Sequence, residues 1–172
     1  MNTEDILKKY PDVYINTNGG PDSYREGLPI VERDPIAVII KHPTEDTYLL
    51  AKWKKSVWTG FLTGGIEDGD TLEDTVRKEI REESGYKHVA KITQTDFASH
   101  GLFYHVIKQV NRLAHYHLVI AELADLEMDE VSPEEKEIAE FIWVSSEEVF
   151  GLLTNPDIQS LWNYYITHKE RF

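Results

Sequence analysis

The chain has 172 residues, of which 41% are hydrophobic and 28% are charged, and these values are typical of a single compact globular domain. Its formal net charge of -13 argues against the broad basic surface with which proteins bind DNA or RNA. The charge does not exclude a small phosphorylated ligand held by a metal ion and a few local cations. The absence of cysteine excludes disulfides, thiolate metal sites and cysteine nucleophiles.

The first 34 residues are predicted to form an arm before a single folded domain at residues 35–172. Residues 11–34 are rich in Asn, Gly, Pro and Asp, which is typical of irregular structure. The arm carries apolar side chains that could pack on this domain, on a neighbouring domain or on another subunit: Tyr14, Tyr24 and Leu28. Residues 1–10 lack the apolar core of a signal peptide, and no apolar run approaches the roughly 20 residues of a membrane span, so a cytoplasmic location is expected.

Downstream of the arm, apolar and alternating segments predict strands, and amphipathic segments predict helices. Strands are expected at residues 36–41, 47–53, 61–63, 90–98, 102–108, 115–123 and 141–144, with Asn111-Arg112 as the turn of the last hairpin. Helices are expected from residue 70 or 71 to Gly85, and from Ser132-Pro133, Ser145 and Asn155-Pro156 onward. Strands and helices mixed in this way predict an α/β (α+β) domain in which helices cover a central sheet.

The helix predicted at residues 71–84 carries three clustered glutamates. An apolar stripe at every fourth position is predicted to face the core: Leu72, Val76 and Ile80. Glu79, Glu82 and Glu83 share a neighbouring face, where like charges repel by a few tenths of a kcal/mol per pair. A divalent cation would remove this repulsion, and three carboxylates suit a hard ion such as Mg²⁺ or Mn²⁺. The alternative is an acidic helix face that is simply solvated.

Glycines flank this helix on both sides. Gly64-Gly65 precedes it and permits close approach of the backbone to a phosphate, and Gly85 ends it. Residues 64–86 spell Gly-x5-Asp-x7-Lys-Glu-Ile-x-Glu-Glu-x-Gly-Tyr. This pattern resembles the Nudix box, Gly-x5-Glu-x7-Arg-Glu-U-x-Glu-Glu-x-Gly-U, in which U is apolar. The resemblance covers most of the chain and implies a Nudix-type α/β/α sandwich with a central mixed β-sheet between helices.

The Nudix resemblance also implies an activity, namely metal-dependent hydrolysis of a pyrophosphate linkage in a nucleoside diphosphate derivative. It implies Mg²⁺ or Mn²⁺ as the cofactor and a nucleotide-type small molecule as the substrate. Carried over position by position, it implies metal binding by Glu79, Glu82, Glu83 and Gly64, and catalysis by the same glutamates with Lys78. The general base is often a further glutamate from a later loop, for which the acidic segment offers several candidates: Glu134, Glu135, Glu137 and Glu140.

Two positions depart from the Nudix pattern. Asp70 stands where the family usually has Glu, and Lys78 stands where it has Arg. In the family these two residues commonly pair and help to orient the catalytic glutamate. An Asp70–Lys78 contact is compatible with the sequence, but lysine lacks the bidentate fork of arginine, and Asp70 with Glu73 also fits a helix capping box. The departures weaken the expectation of efficient catalysis but not that of metal binding.

A nucleotide substrate needs cations and a stacking surface. The densest basic cluster, at residues 52–55, lies just upstream of the box together with Trp58. Lys52, Lys54 and Trp58 are therefore candidates for phosphate and base contacts, and Arg33 and Arg112 are further candidates for a phosphate. Three histidines could also line the pocket, although packed or surface histidines are the simpler interpretation: His105, His115 and His117.

A second resemblance concerns the arm and the first hairpin. Four segments are similar to Nudix modules carried within some bacterial leucyl-tRNA synthetases: Tyr24-Arg25-Glu26-Gly27-Leu28-Pro29, Val31-Glu32-Arg33-Asp34, Lys41-His42-Pro43 and Lys52-Trp53-Lys54-Lys55. This resemblance implies a free-standing relative or an excised module, with the arm as a docking or linker segment.

Three functions stay open from the sequence. The first is a metal-dependent nucleotide hydrolase. The second is a Nudix domain that binds nucleotides without turnover, which the departures at Asp70 and Lys78 motivate. The third is an accessory module of a tRNA-linked enzyme. A homodimer is compatible with each of them, whereas neither a membrane partner nor direct DNA binding is expected.

Overall fold

The computed structural model describes residues 2–67 and 69–172, in which helices cover both faces of a mixed β-sheet. The strands are β1 (Tyr14–Ile15), β2 (Ile30–Arg33), β3 (Pro35–Lys41), β4 (Thr47–Trp53), β5 (Thr59–Gly60), β6 (Leu62–Gly65), β7 (Val89–His105), β8 (Val110–Leu123) and β9 (Ala139–Ser145). The helices are α1 (Thr3–Lys9), α2 (Leu72–Glu79), α3 (Pro133–Ile138), α4 (Ser146–Leu152) and α5 (Pro156–Thr167). A π-helical turn (Ile80–Ser84) continues α2, and a short 3-10 turn (Lys169–Arg171) follows α5. This arrangement confirms the predicted sandwich.

Strands β3 and β8 form the centre of the sheet. The strand order is β1-β7-β8-β3-β4-β5, while β2 pairs with β8, β6 with β3 and β9 with β4. The pairs β1/β7, β2/β8 and β3/β8 are parallel and the others are antiparallel. Because β6 lies beside the first half of β3, Gly64 stands opposite Ile36, and the chain then leads from β6 into α2.

Each face of the sheet has its own apolar core, because side chains alternate between the faces along a strand. On the face that α4 and α5 cover, here called the α5 face, Ala37, Ile39 and Tyr116 pack against α5. The residues that α5 contributes are those predicted from its helical spacing: Ile158, Leu161, Trp162 and Tyr165. On the opposite α2 face, the sheet packs against the predicted stripe of α2 and its π turn: Leu72, Val76 and Ile80.

The strand predictions held except around the long hairpin. The segments 90–98 and 102–108 form the single strand β7, whose pairing with β8 is irregular between Gln94 and Ala98. The turn predicted at Asn111-Arg112 is wrong, because both residues lie in β8 and the turn lies at residues 106–109. Asn111 is buried since its side chain binds the arm, where Nδ2 donates to the carbonyl of Arg25 (2.7 Å) and Oδ1 accepts the N–H of Arg25 (3.0 Å).

The arm contains α1, β1 and β2, and the two strands lie within residues 11–34, which were expected to be irregular. Ile6 and Val13 pack against Leu102 and Leu113 and so extend the apolar contacts along β7 and β8. Tyr24 borders this cluster, while Leu28 is 37% exposed. The division of the chain at residue 34 stays a prediction. None of the described helices has both the length and the apolar character needed to cross a membrane.

Asp157, near the start of α5, is a buried acid outside the predicted site. Its Oδ1 accepts the N–H of Ile158 (3.0 Å), and its Oδ2 lies against Gly101 of β7, where a larger residue would leave no room for it. Burial disfavours the charged form and raises the pKa of Asp157 to about 7. The folded protein therefore holds a proton there that the unfolded chain releases at lower pH.

Replacing Asp157 by Asn is expected to stabilise the protein more at alkaline than at acidic pH. An unfolded Asp titrates near pH 4, so the stability linked to this proton is fully present below about pH 4 and is lost as the pH rises through about 7. Asn has no such proton. The difference in the free energy of unfolding, variant minus wild type, should therefore grow as the pH rises, by at most about 1.4 kcal/mol per pH unit. Urea unfolding at about pH 5 and about pH 8 measures this difference, and equal values at the two pH values would contradict it.

Candidate functional site

The start of α2 is set by Thr71. Its Oγ1 accepts the N–H of Asp74 (3.1 Å) and donates to the carboxylate of Asp74 (2.6 Å). The predicted capping box of Asp70 and Glu73 is therefore wrong by one residue, and Glu73 instead pairs with Arg77 (2.6 Å) one turn further along the helix. The threonine hydroxyl satisfies a backbone donor that the first helical turn leaves free.

The end of the glutamate helix is a π-helical turn rather than the predicted continuation of α-helix. It spans Ile80–Ser84, and the hydroxyl of Ser84 donates to the carbonyl of Ile80 (2.6 Å). Gly85 then ends it with a φ of 86°, as predicted. Glu79 is thus the last α-helical residue, while Glu82 and Glu83 lie in the wider turn, a local geometry that often occurs at functional sites.

Glu79 lies directly over Gly64. A Cβ atom at Gly64 would come within 2.7 Å of the Cγ, Cδ and Oε1 atoms of Glu79, so only glycine leaves room for this side chain. Burial, the charges of Glu79 and Glu135, and a hydrogen bond with Glu79 raise the pKa of Glu83 to about 8. Burial and the charge of Glu82 likewise raise the pKa of Glu79. The structure therefore gathers carboxylates whose negative charges oppose one another.

Among the later glutamates, Glu135 faces this cluster. Its charge acts on both Glu79 and Glu83. It also lines, with Glu82, a groove of about 830 Å³ between the α2 segment and residues 129–132. By contrast, Glu134 and Glu137 are exposed, and Glu140 lies in β9 opposite Lys52 of β4. The structure thus distinguishes Glu135 from the other candidates, which the sequence could not do.

Lys78 pairs with Glu67 in the loop after β6. The Nζ atom lies 3.0 Å from Oε2 of Glu67, and this hydrogen bond raises the pKa of Lys78. In the described chain, this ion pair takes the place of the Asp70–Lys78 contact that the family pattern suggested. The loop is therefore tied to the outer side of α2 by a different acid, which spacing within the Nudix box could not indicate.

The predicted substrate-binding side chains do not converge on the glutamates. Lys54 donates from Nζ to the carbonyl of Lys136 and so holds the end of α3. Trp58 packs edge-on against Phe103 and donates from Nε1 to Asp22 of the arm (2.9 Å). Lys52 is exposed on β4, and the exposed Arg33 lies in β2. Trp58 borders a small pocket on the α5 face whose other walls include Phe61, Thr63 and Tyr116.

The histidines make packed or surface contacts. His115 is buried, with its Nδ1 2.8 Å from Nδ1 of His100, and both rings lie against Tyr10 of the arm. His117 is exposed, with Nε2 3.3 Å from Oδ1 of Asp34. The arm thus covers the strand face on which a histidine-lined pocket was considered.

A second group of potential metal ligands is formed by His88, Asp125 and Glu127, whose ligand atoms lie within 4.8 Å of one another. All three side chains are exposed, and Lys87 pairs with Glu127 at 2.6 Å. This group contains none of the glutamates of the predicted site. The sequence did not indicate this group, because its members come together only through the pairing of β7 with β8.

The sequence is similar to proteins of known class over most of its length. The NUDIX domain profile matches residues 32–165. The human NAD-capped RNA hydrolase NUDT12 is 29% identical over 134 residues, which are 75% of this chain and 26% of that protein. The chain therefore spans between about a quarter and two fifths of the length of the curated relatives it matches.

Solved structures show the same fold. The dihydroneopterin triphosphate pyrophosphohydrolase of E. coli superposes with a TM-score of 0.58 at 11% identity, covering 78% of this chain and 94% of that one. A Nudix hydrolase from M. smegmatis superposes with a TM-score of 0.52 at 16% identity, covering 81% of this chain and 88% of that one. Together with the profile match and the box at residues 64–86, these similarities establish that the chain belongs to the Nudix family.

Proposed function

We propose that this chain hydrolyses a pyrophosphate linkage in a nucleoside diphosphate derivative, with Mg²⁺ or Mn²⁺ bound by Glu79, Glu82 and Glu83. The observation that supports this most is the packing of Glu79 over Gly64, beside Glu83 and within the electrostatic reach of Glu135. Clustered carboxylates that are partly buried destabilise a fold unless a cation compensates them. Membership of the Nudix family supports the same activity.

The residues present fit a hard divalent ion. The donors are carboxylate oxygens, which such ions prefer, and Gly64 leaves the space beside Glu79 that a side chain would fill. The backbone carbonyl of Gly64 would add a neutral oxygen ligand. When bound, the ion neutralises charge on the phosphates and acidifies a water molecule.

The other side chains receive roles from their positions. Glu82 is exposed at the groove and would meet the ion from the solvent side. Glu135, half-buried beside the cluster, would accept the proton of the attacking water. Lys78 lines the same groove, where its ammonium group would attract the substrate phosphates, and its ion pair with Glu67 holds it there. Glu79 would orient the ion through its fixed position on Gly64.

A panel of nucleotides tests the proposal directly. It should include nucleoside triphosphates, nucleotide sugars, NADH and NAD-capped RNA, the last because relatives are named for it. With Mg²⁺ or Mn²⁺ we expect turnover of at least one compound, and Glu82→Gln should lower it by about a hundredfold or more. Glu170→Gln, an exposed site in the 3-10 turn, is the matched control. Absence of turnover for every compound, at high enzyme concentration and with either ion, would refute the proposal.

A second candidate is a Nudix domain that binds nucleotides without turnover, and the departures from the Nudix box at Asp70 and Lys78 motivate it. Calorimetry would then detect nucleotide binding, and Glu82→Gln would leave the function in the cell intact. The accessory role in a tRNA-linked enzyme and the homodimer stay predictions. A pull-down with a synthetase body and the mass in solution would test them.

A further inference from the structure

Two arginines lie side by side on the α5 face. Arg112 belongs to β8 and Arg33 to β2, and the register places Arg33 opposite Ala114, two positions along from Arg112. Ala114 packs into the core of the α5 face, whereas Leu113 packs on the other side with the arm. Because side chains alternate along a strand, Arg112 and Arg33 both project from the α5 face.

Within residues 2–67 and 69–172, neither arginine has an acidic partner. Among the described residues, no ion pair within 4.0 Å involves Arg112 or Arg33, although acids outnumber bases by 31 to 18. The Nε atom of Arg112 is buried and makes no hydrogen bond, and Arg33 donates to the carbonyl of Glu32 (3.0 Å). Burial and the charge of Arg33 lower the pKa of Arg112. The two cations therefore oppose each other, with a donor left unsatisfied.

Aromatic rings flank the arginine pair. Phe103 stands opposite Arg112 in the neighbouring strand β7, and Trp58 packs edge-on against it at 5.3 Å between ring centroids. Tyr116 follows Arg112 on the same face and lines the small pocket with Trp58 and Phe61. The pair thus lies beside a pocket with aromatic walls, a combination that suits a phosphate attached to a planar ring.

We propose that Arg112 and Arg33 form an anion subsite that binds a phosphate of the nucleotide substrate, with the ring directed to the adjoining aromatic pocket. Guanidinium groups present paired donors that match phosphate oxygens, and a bound phosphate would relieve the repulsion between the two cations. The subsite rests on the proposed function for its ligand class. Thr63 borders the pocket on the α5 face, whereas the next residue, Gly64, faces Glu79 on the α2 face, so β6 lies between the subsite and the glutamate cluster.

Calorimetric titration with AMP in EDTA tests the subsite without any metal bound. We expect Arg112→Gln and Arg33→Gln each to weaken AMP binding roughly tenfold or more, since each removes charged hydrogen bonds to the phosphate. Arg171→Gln removes the same charge from an exposed site and should leave the affinity unchanged. Inorganic phosphate should bind more weakly than AMP, because it has no ring for the pocket.

The variant at exposed Arg33 keeps the test decisive even if Arg112→Gln fails to fold. Undetectable AMP binding by the wild-type protein, or equal affinity in the wild type and folded Arg33→Gln, would overturn the subsite. Nucleotide hydrolysis with arginine-independent AMP binding would refute the subsite and leave the proposed function standing. Arginine-dependent AMP binding without hydrolysis of any nucleotide would refute the proposed function and leave the subsite standing.

Discussion

Replacing Gly64 by Ala is expected to lower hydrolysis by about a hundredfold or more while leaving the stability of the fold nearly unchanged. The added Cβ would lie within 2.7 Å of three atoms of Glu79, so one of the two must move. The end of the Glu79 side chain is flexible and β6 is held by its pairing with β3, so the carboxylate is displaced rather than the backbone. A displacement of about 1 Å in an active site costs on the order of a hundredfold in rate.

Three measurements on Gly64→Ala separate this effect from misfolding. The rate is taken on the substrate found in the nucleotide panel, Mn²⁺ affinity by calorimetry, and stability by urea unfolding. Gly151→Ala in α4, where a Cβ meets nothing within 4 Å, is the matched control and should keep full activity. Wild-type rate and Mn²⁺ affinity in Gly64→Ala would show that Glu79 does not act from the position described.

The Glu83→Gln protein is expected to be more stable than the wild type in EDTA and to gain less stability from Mn²⁺. The substitution replaces a partly buried carboxyl group, whose pKa is raised to about 8, with a neutral amide. The metal-free protein then no longer has to protonate this group or hold its charge beside Glu79 and Glu135. Relief of about 1–2 kcal/mol would raise the melting temperature by about 2–8 °C in a chain of this size. The same change removes a ligand, so the stabilisation that comes from metal binding should fall.

Thermal unfolding in EDTA and in saturating MnCl₂ measures both effects. Glu170→Gln, which removes an equal charge from an exposed site, should behave like the wild type under both conditions. A lower melting temperature of Glu83→Gln in EDTA, together with a wild-type response to Mn²⁺, would contradict the role given to this glutamate. A metal ligand is distinguished from a residue that only supports the fold by two changes in the variant: a higher melting temperature in EDTA and a smaller stabilisation by Mn²⁺.

Local signals in the sequence determined most of the elements and the family. The apolar run of β3, the returning strand β4, the helix stop at Gly85 and the helix start at Asn155-Pro156 depend on residues close together in the chain. The spacing of the three glutamates on α2 and its π turn also depends only on residues close together in the chain. Such signals work because the periods of strands and helices and the conformational preferences of glycine and proline act over a few residues.

Predictions from local sequence were wrong where a distant segment supplies the hydrogen-bond partner of a side chain. Asn111 has the composition of a turn, but its amide binds the backbone of the arm 86 positions away in the chain. Lys54 looked like a phosphate ligand, but it holds the end of α3. A polar side chain takes whichever partner the fold brings to it, and the sequence around it does not contain that partner.

The sequence by itself determined the Nudix box, the mixed α/β architecture and the three glutamates that would hold a metal. Only the tertiary structure decided which charged groups lie beside them: Glu135 faces the cluster and Glu67 pairs with Lys78. The tertiary structure also places Arg112 and Arg33 together, with no ion pair to an acid among the described residues. The physical reason is that the glutamates lie within two turns of one helical segment, whereas the other groups come from separate strands and loops. Their proximity results from sheet pairing and core packing, which depend on contacts across the whole chain.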